Sequence, residues 1–196
     1  MENSVKITNN VFHSSWPTVY VPIVLEDGAN LPFYAHNDDA CVDLTAMTCF
    51  YNKEHDWYEY GTGIHIAIPA GFEVQIRPRS GNRKTDAYIC NTPGTVDCGY
   101  TGEVIVCFKN RTSFMVQKFM EMALSGYNNR EIARELNEVL KKGDENLDYA
   151  PYHVGERIAQ MKLSKCFHFG FQKVDSLDEN QERGKNGFGS TGLLNF

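Results

Sequence analysis

Three segments of the chain gather side chains that could act on an anionic ligand. Arg183-Gly184-Lys185-Asn186-Gly187-Phe188-Gly189-Ser190-Thr191-Gly192 combines two cations and two hydroxyls with glycine-rich backbone around one aromatic ring. Its N–H groups could wrap phosphate oxygens while Arg183 supplies charge, although a plain polar terminus has the same composition. It departs from the Gly-Lys-Ser/Thr pattern of a P-loop. Arg77-Pro78-Arg79-Ser80-Gly81 places Arg and Ser on a tight turn, as an anion contact requires and as many solvated turns also do. The third segment runs from Asn91 to Glu103 and holds Asp97 and Tyr100 between turn residues. There Asp97 is either a general base or a turn former.

These segments need a scaffold, and the chain around them reads as β. Short apolar runs at Val19 to Leu25, Gly63 to Pro69, Phe72 to Ile76 and Val104 to Phe108 are separated by Gly and Pro. Ile64-His65-Ile66-Ala67-Ile68 alternates as a half-buried strand does. Many short strands between close turns predict a sandwich, barrel or jelly roll. From Thr112 to Asp148 the period becomes helical: Met115, Phe119, Met122 and Ala123, then Ile132, Leu136, Val139 and Leu140. Two helices joined near Ser125-Gly126 are predicted, with Asn128 or Asn129 as N-cap and Gly143 as C-cap. Strand texture resumes near Tyr149, and a polar, glycine-rich tail occupies residues 179–196.

At 196 residues the chain suits one domain, 1–196, carrying a helical insert at 112–148. Its 42% hydrophobic and 22% charged residues are those of a globular protein. A net charge of −6 argues against wrapping duplex nucleic acid, which needs a surplus of cations. No run reaches the roughly 18 apolar residues of a membrane helix, and Met1 to Asn10 is polar, so a cytoplasmic location is expected. The six cysteines form no C-x-x-C pair, which makes a disulfide framework or zinc site an unfavoured reading. The six histidines show no metal-binding spacing. Nothing near Cys98 supplies a cation or His to activate it as a nucleophile.

Taken in order, Ala40-Cys41-Val42-Asp43-Leu44, Pro78-Arg79-Ser80-Gly81, Gly94 to Glu103, Gly155-Glu156-Arg157-Ile158-Ala159-Gln160 and Arg183 to Gly192 resemble the five motifs of the trimeric dUTP diphosphatases. The resemblance covers roughly Val19 to Asn110 and Tyr149 to Gly192. It implies a mainly β, jelly-roll-like β-barrel homotrimer that hydrolyses dUTP to dUMP and pyrophosphate with Mg²⁺. On the same ground, Asp97 orients and deprotonates the attacking water. The hairpin from Asn91 through Gly94 and Val96 to Tyr100 forms the uracil pocket, with Tyr100 under the sugar. Arg79, Ser80, Gly81 and Gln160 match phosphate-binding positions. Asp43 acts near the metal through water. In the tail, Phe188 stacks on uracil while Arg183, Gly189, Ser190 and Thr191 close over the phosphates. A mobile tail that orders on substrate fits this scheme.

Some residues depart from the family pattern. Cys41 and Asn186 stand where Gly is usual, and Asn82-Arg83-Lys84 resembles a polar variant of the second motif. Glu156 and Arg157 read as structural ion-pair residues rather than catalysts. The related dCTP deaminases carry a Glu where Cys107 falls here, so that reading loses its acid. A regulatory trimer binding a protein partner through the 112–148 insert is the non-enzymatic alternative. The insert suits a phage enzyme, which would act in host cytoplasm. Ser125 to Leu136 faintly resembles the first helix of a helix-turn-helix, but no recognition helix follows and acidic neighbours would repel phosphate.

Overall fold

The computed structural model describes residues 16–142 and 146–177. Among the described residues nine strands form two antiparallel sheets. They are β1 (Ile23–Leu25), β2 (Val42–Thr45), β3 (Phe50–Asn52), β4 (Trp57–Ile66), β5 (Phe72–Arg77), β6 (Ala87–Ile89), β7 (Gly94–Val96), β8 (Glu103–Asn110) and β9 (Arg157–Lys165). One sheet runs β1-β4-β8-β6, with β3 also on β4; the other runs β2-β9-β5-β7. This is the jelly-roll-like, mainly β architecture expected, built as two sheets face to face. The core lies between them. Leu44, Val74, Ile76, Ile158 and Ala159 point inward from one sheet, and Tyr58, Tyr60, Ile64, Val104, Val106 and Phe108 from the other.

The alternation at Ile64-His65-Ile66 now has a cause: both isoleucines are buried while His65 faces outward beside Glu103. The aromatic residues of β4 carry much of the packing. Tyr60 meets Phe108 edge-on at a centroid distance of 5.7 Å, and both are fully buried. Burial also pushes up the phenols of Tyr58 and Tyr60 and the thiols of Cys49 and Cys107, the last to about 11.

The insert forms α1 (Phe114–Leu124) and α2 (Asn129–Lys142). Asn128 is the N-cap of α2: its Oδ1 accepts the Arg130 and Glu131 N–H groups, and Glu131 Oε2 accepts the Asn128 N–H at 2.8 Å. The candidate C-cap Gly143 lies outside the described residues. Met115 and Val139 pack on the core and Met122 is buried, whereas Phe119 is exposed, so the stripe read from the sequence divides between two faces. One expectation is corrected. The strand after the insert starts at Arg157, not near Tyr149, which ends a short 3₁₀ turn (Asn146–Tyr149). Both ends of the insert are clasped, because Asn110 Nδ2 donates to the Tyr149 carbonyl at 2.9 Å.

Among the described residues, those up to Cys166 belong to one compact unit and those from Phe167 to a second. In its described part the rings of Phe169 and Phe171 stack at 5.4 Å. Among the described residues no helix is long and apolar enough to cross a membrane.

Candidate active site

The β2-β9-β5 ladder assembles the first cluster. Register places Asp43 opposite Gln160, and Gln160 opposite Arg77, in one row across the sheet. Asp43 is buried, and both of its oxygens are engaged. Oδ1 accepts Arg79 Nε at 2.6 Å; Oδ2 accepts Arg79 Nη2 at 3.1 Å and Arg157 Nη1 at 3.0 Å. Arg79 Nη1 also donates to the Arg157 carbonyl at 3.0 Å. One carboxylate thus holds two guanidiniums side by side, and the trio keeps a formal charge of +1, suited to an anion. Gln160 Nε2 donates to the Pro78 carbonyl at 2.9 Å, bracing the turn that presents Arg79, Ser80 and Gly81.

The second cluster follows β7. The chain reaches it through a cis Thr92–Pro93 bond. At Gly94 a Cβ would lie 3.0 Å from Asn91 Oδ1 and 3.2 Å from the Asn91 carbonyl, so a larger residue there would press on the Asn91 side chain and backbone. After Val96 the chain turns at Asp97, whose carbonyl accepts the Tyr100 N–H at 3.0 Å, and the Tyr100 hydroxyl donates to the Glu103 carbonyl at 2.9 Å. The Tyr100 ring lies against Gly102, where a Cβ would fall 2.5 Å from the phenol oxygen. Asp97 and Tyr100 are both exposed and line a pocket with Thr95, Val96, Glu103 and Ile105.

Strand register separates the two clusters. Val74 faces Val96, so Asp97 lies beside the Glu73 end of β5, whereas Arg79 follows its other end at Arg77. The four residue steps from Glu73 to Arg77 span about 13 Å. Asp43, Arg79, Gln160 and Ser80 therefore group at one end of this ladder, and Asp97 and Tyr100 at the other. Arg183, Phe188, Gly189, Ser190 and Thr191 lie outside the described residues.

Two participants in the first cluster were missed as site residues from sequence alone. Arg157 was read as a structural ion-pair residue, and its ion pair turns out to be with Asp43. Asn82 is buried beneath the Arg79 turn, and the only signal for it is a polar residue one position after Ser80-Gly81. Among the described residues no group of three or more His, Cys, Asp or Glu is placed to hold a metal.

A dUTPase family model matches residues 27–123. The deoxyuridine 5′-triphosphate nucleotidohydrolase of Gloeothece citriformis is 35% identical over 170 residues, covering 86% of this chain and 93% of its own. The chain belongs to the dUTPase family. Among solved structures, a Staphylococcus bacteriophage 80alpha dUTPase with dUpNHpp superposes with a TM-score of 0.61 at 21% identity, covering 90% of this chain and all of that one. A dUTPase mutant from S. aureus phage phi11, studied for its coordination of a structural Mg(II) ion, gives 0.54 at 18% identity, covering 81% and 98%. In this chain the helices interrupt the sequence between the strand ending at Asn110 and the one beginning at Arg157.

Proposed function

We propose that this dUTPase hydrolyses dUTP to dUMP and pyrophosphate, with Asp97 as the base. The observation that carries the reading is an exposed carboxylate at the mouth of a hairpin pocket, within a fold whose other motif cluster is a buffered pair of arginines. Asp97 would accept a proton from water as the water oxygen bonds to the α-phosphorus. The bond to the bridging oxygen breaks and pyrophosphate departs with its electron pair. Asn91, Gly94 and Val96 would read the base, and Tyr100, braced on the Glu103 carbonyl, would leave no room for a 2′-hydroxyl. Arg79, Ser80, Gly81 and Gln160 would take the phosphates.

The separation of Asp97 from Arg79 along β5 supports a homotrimer in which each site draws on more than one copy. The tail residues Arg183, Phe188, Gly189, Ser190 and Thr191 would complete it. Mg²⁺ fits as an ion held by triphosphate and water. Asp43 spends three acceptor sites on guanidiniums, of about four that a carboxylate offers, which leaves room for one water-mediated contact and none for direct chelation. When bound, the ion would neutralise charge on the phosphates. The reaction belongs in cytoplasm, that of the host for a phage-encoded chain.

The insert is accessory to this chemistry. Val116, Met120 and Leu124 recur at one-turn spacing and are exposed, which supports a protein partner on α1 as an additional role. Purified protein given dUTP, dTTP, dCTP or UTP with Mg²⁺ should release pyrophosphate rapidly from dUTP alone. Equal turnover of dTTP or UTP would overturn the reading.

A further inference from the structure

We propose that Asn82 and Tyr152 form a positioning pair that presets the Arg79–Ser80 turn for the substrate's phosphates. The inference rests on the phosphate role proposed above for that turn. The amide of Asn82 is buried, and both its oxygen and its nitrogen are hydrogen-bonded. Its Oδ1 accepts the backbone N–H of Arg79, and its Nδ2 donates to the Tyr152 hydroxyl and, at 2.9 Å, to the Ile158 carbonyl. Asn82 also closes the turn through its backbone, its N–H donating to the Arg79 carbonyl at 3.0 Å.

Tyr152 is anchored in turn. Its carbonyl accepts the Tyr60 hydroxyl at 2.9 Å, its N–H donates to the same oxygen at 3.1 Å, and its ring tilts against Phe108 at 5.1 Å. Because Tyr60 and Phe108 are fully buried, the chain of bonds runs from the rigid centre of the sandwich to the peptide before the Arg79 side chain.

The amide helps hold the turn together, since removing it alone would leave the Arg79 N–H and the Ile158 carbonyl without their partner. What the amide adds is direction. Oδ1 fixes the plane of the Pro78–Arg79 peptide, and that plane sets where the Arg79 guanidinium meets Asp43 and where Ser80 faces. A turn already held in its binding geometry need not be ordered by the ligand, so the pair acts on affinity through preorganisation.

The test uses Tyr152→Phe, which removes one hydroxyl and keeps the ring, and Asn82→Leu, which keeps the volume. Each variant is measured for melting temperature, for kcat and KM with dUTP, and for binding of a non-hydrolysable dUTP analogue and of dUMP. Tyr152→Phe should melt close to wild type and Asn82→Leu lower, because the latter leaves buried partners unpaired; for both, kcat per folded protein nearly unchanged and KM raised by about tenfold are expected, the signature of lost uniform binding. The analogue should lose more affinity than dUMP, which offers fewer phosphates. An unchanged KM in folded protein, with or without a lower melting point, would overturn the proposal, as would equal losses for the two ligands. Tyr152→Phe carries the test if Asn82→Leu does not fold. A wild-type protein inert toward dUTP would instead refute the proposed reaction, and the binding measurements would still judge the pair.

Discussion

Asp43→Asn isolates what the carboxylate does for its two arginines. The side chain keeps its size and one acceptor oxygen, but its new NH₂ group faces guanidinium donors, and two cations lose their shared counter-charge. Asp43 receives three charge-assisted hydrogen bonds at 2.6–3.1 Å. Removing one member of a buried pair costs about 3–5 kcal/mol. The full figure does not apply, because the side chains of Arg79 and Arg157 remain 24% and 46% exposed and water screens them. Most of the loss should come from the less exposed, bidentate Arg79, giving about 3 kcal/mol. For a chain of this length that corresponds to a melting point lower by roughly 10 °C. Thermal and urea unfolding at one fixed protein concentration would read it, with Arg157→Leu as the smaller perturbation for comparison. A variant within about 0.5 kcal/mol of wild type, the range of an ordinary surface change, would refute the view that Asp43 anchors the cluster.

Asp97→Asn should bind dUTP as wild type does while turnover falls about 10²–10⁴-fold; stopped assays and titration with an unreactive analogue separate the two effects. Gly102→Ala should push the Tyr100 ring from its seat and lower the kcat/KM preference for dUTP over UTP by about tenfold or more, measured with both nucleotides in competition. His65 should leave a pH signature: its Nε2 lies 3.0 Å from Glu26 Oε1 and its Nδ1 3.1 Å from the Thr101 carbonyl, both acceptors, and these contacts raise its pKa above the ordinary 6.5. A raised folded pKa contributes stability that is complete below 6.5 and lost as pH climbs through the higher folded value, so the melting-point advantage over His65→Gln should shrink across that window; a constant or growing advantage would refute it. Replacing residues 113–145 by a short loop should spare hydrolysis per folded protein, since Asn110 and Tyr149 already meet and loop length changes closure by only about 0.6 kcal/mol per doubling.

The sequence showed those parts of the fold that repeat a period. The Ile64-His65-Ile66 alternation marked a strand, because burial of one face leaves a periodic trace; the spacing of Met115 to Ala123 marked α1 as a helix but not which of its residues are buried, since Phe119 and Ala123 are exposed. The break between the insert and β9 left none: Tyr149 and Tyr152 look strand-like by composition, yet they serve as anchors in a non-strand connection. In the site, Arg79 and Asp97 stood out by charge on glycine-rich turns. Asn82 and Tyr152 did not, since their partners lie 70 residues apart in the chain and only the folded sheets bring them together. Arg157 was visible as a charge, but its partner Asp43 is 114 residues away.

The clasp between Asn110 and Tyr149 also bears on how such a chain can change over generations. Because the two strand-side ends are tied by a bond outside α1 and α2, the helices behave as a cassette plugged into a closed socket. Lengthening, trimming or exchanging that cassette leaves the ladders of both sheets in register, so the helical surface is free to diverge under one selective pressure while the nucleotide-facing turns are held by another.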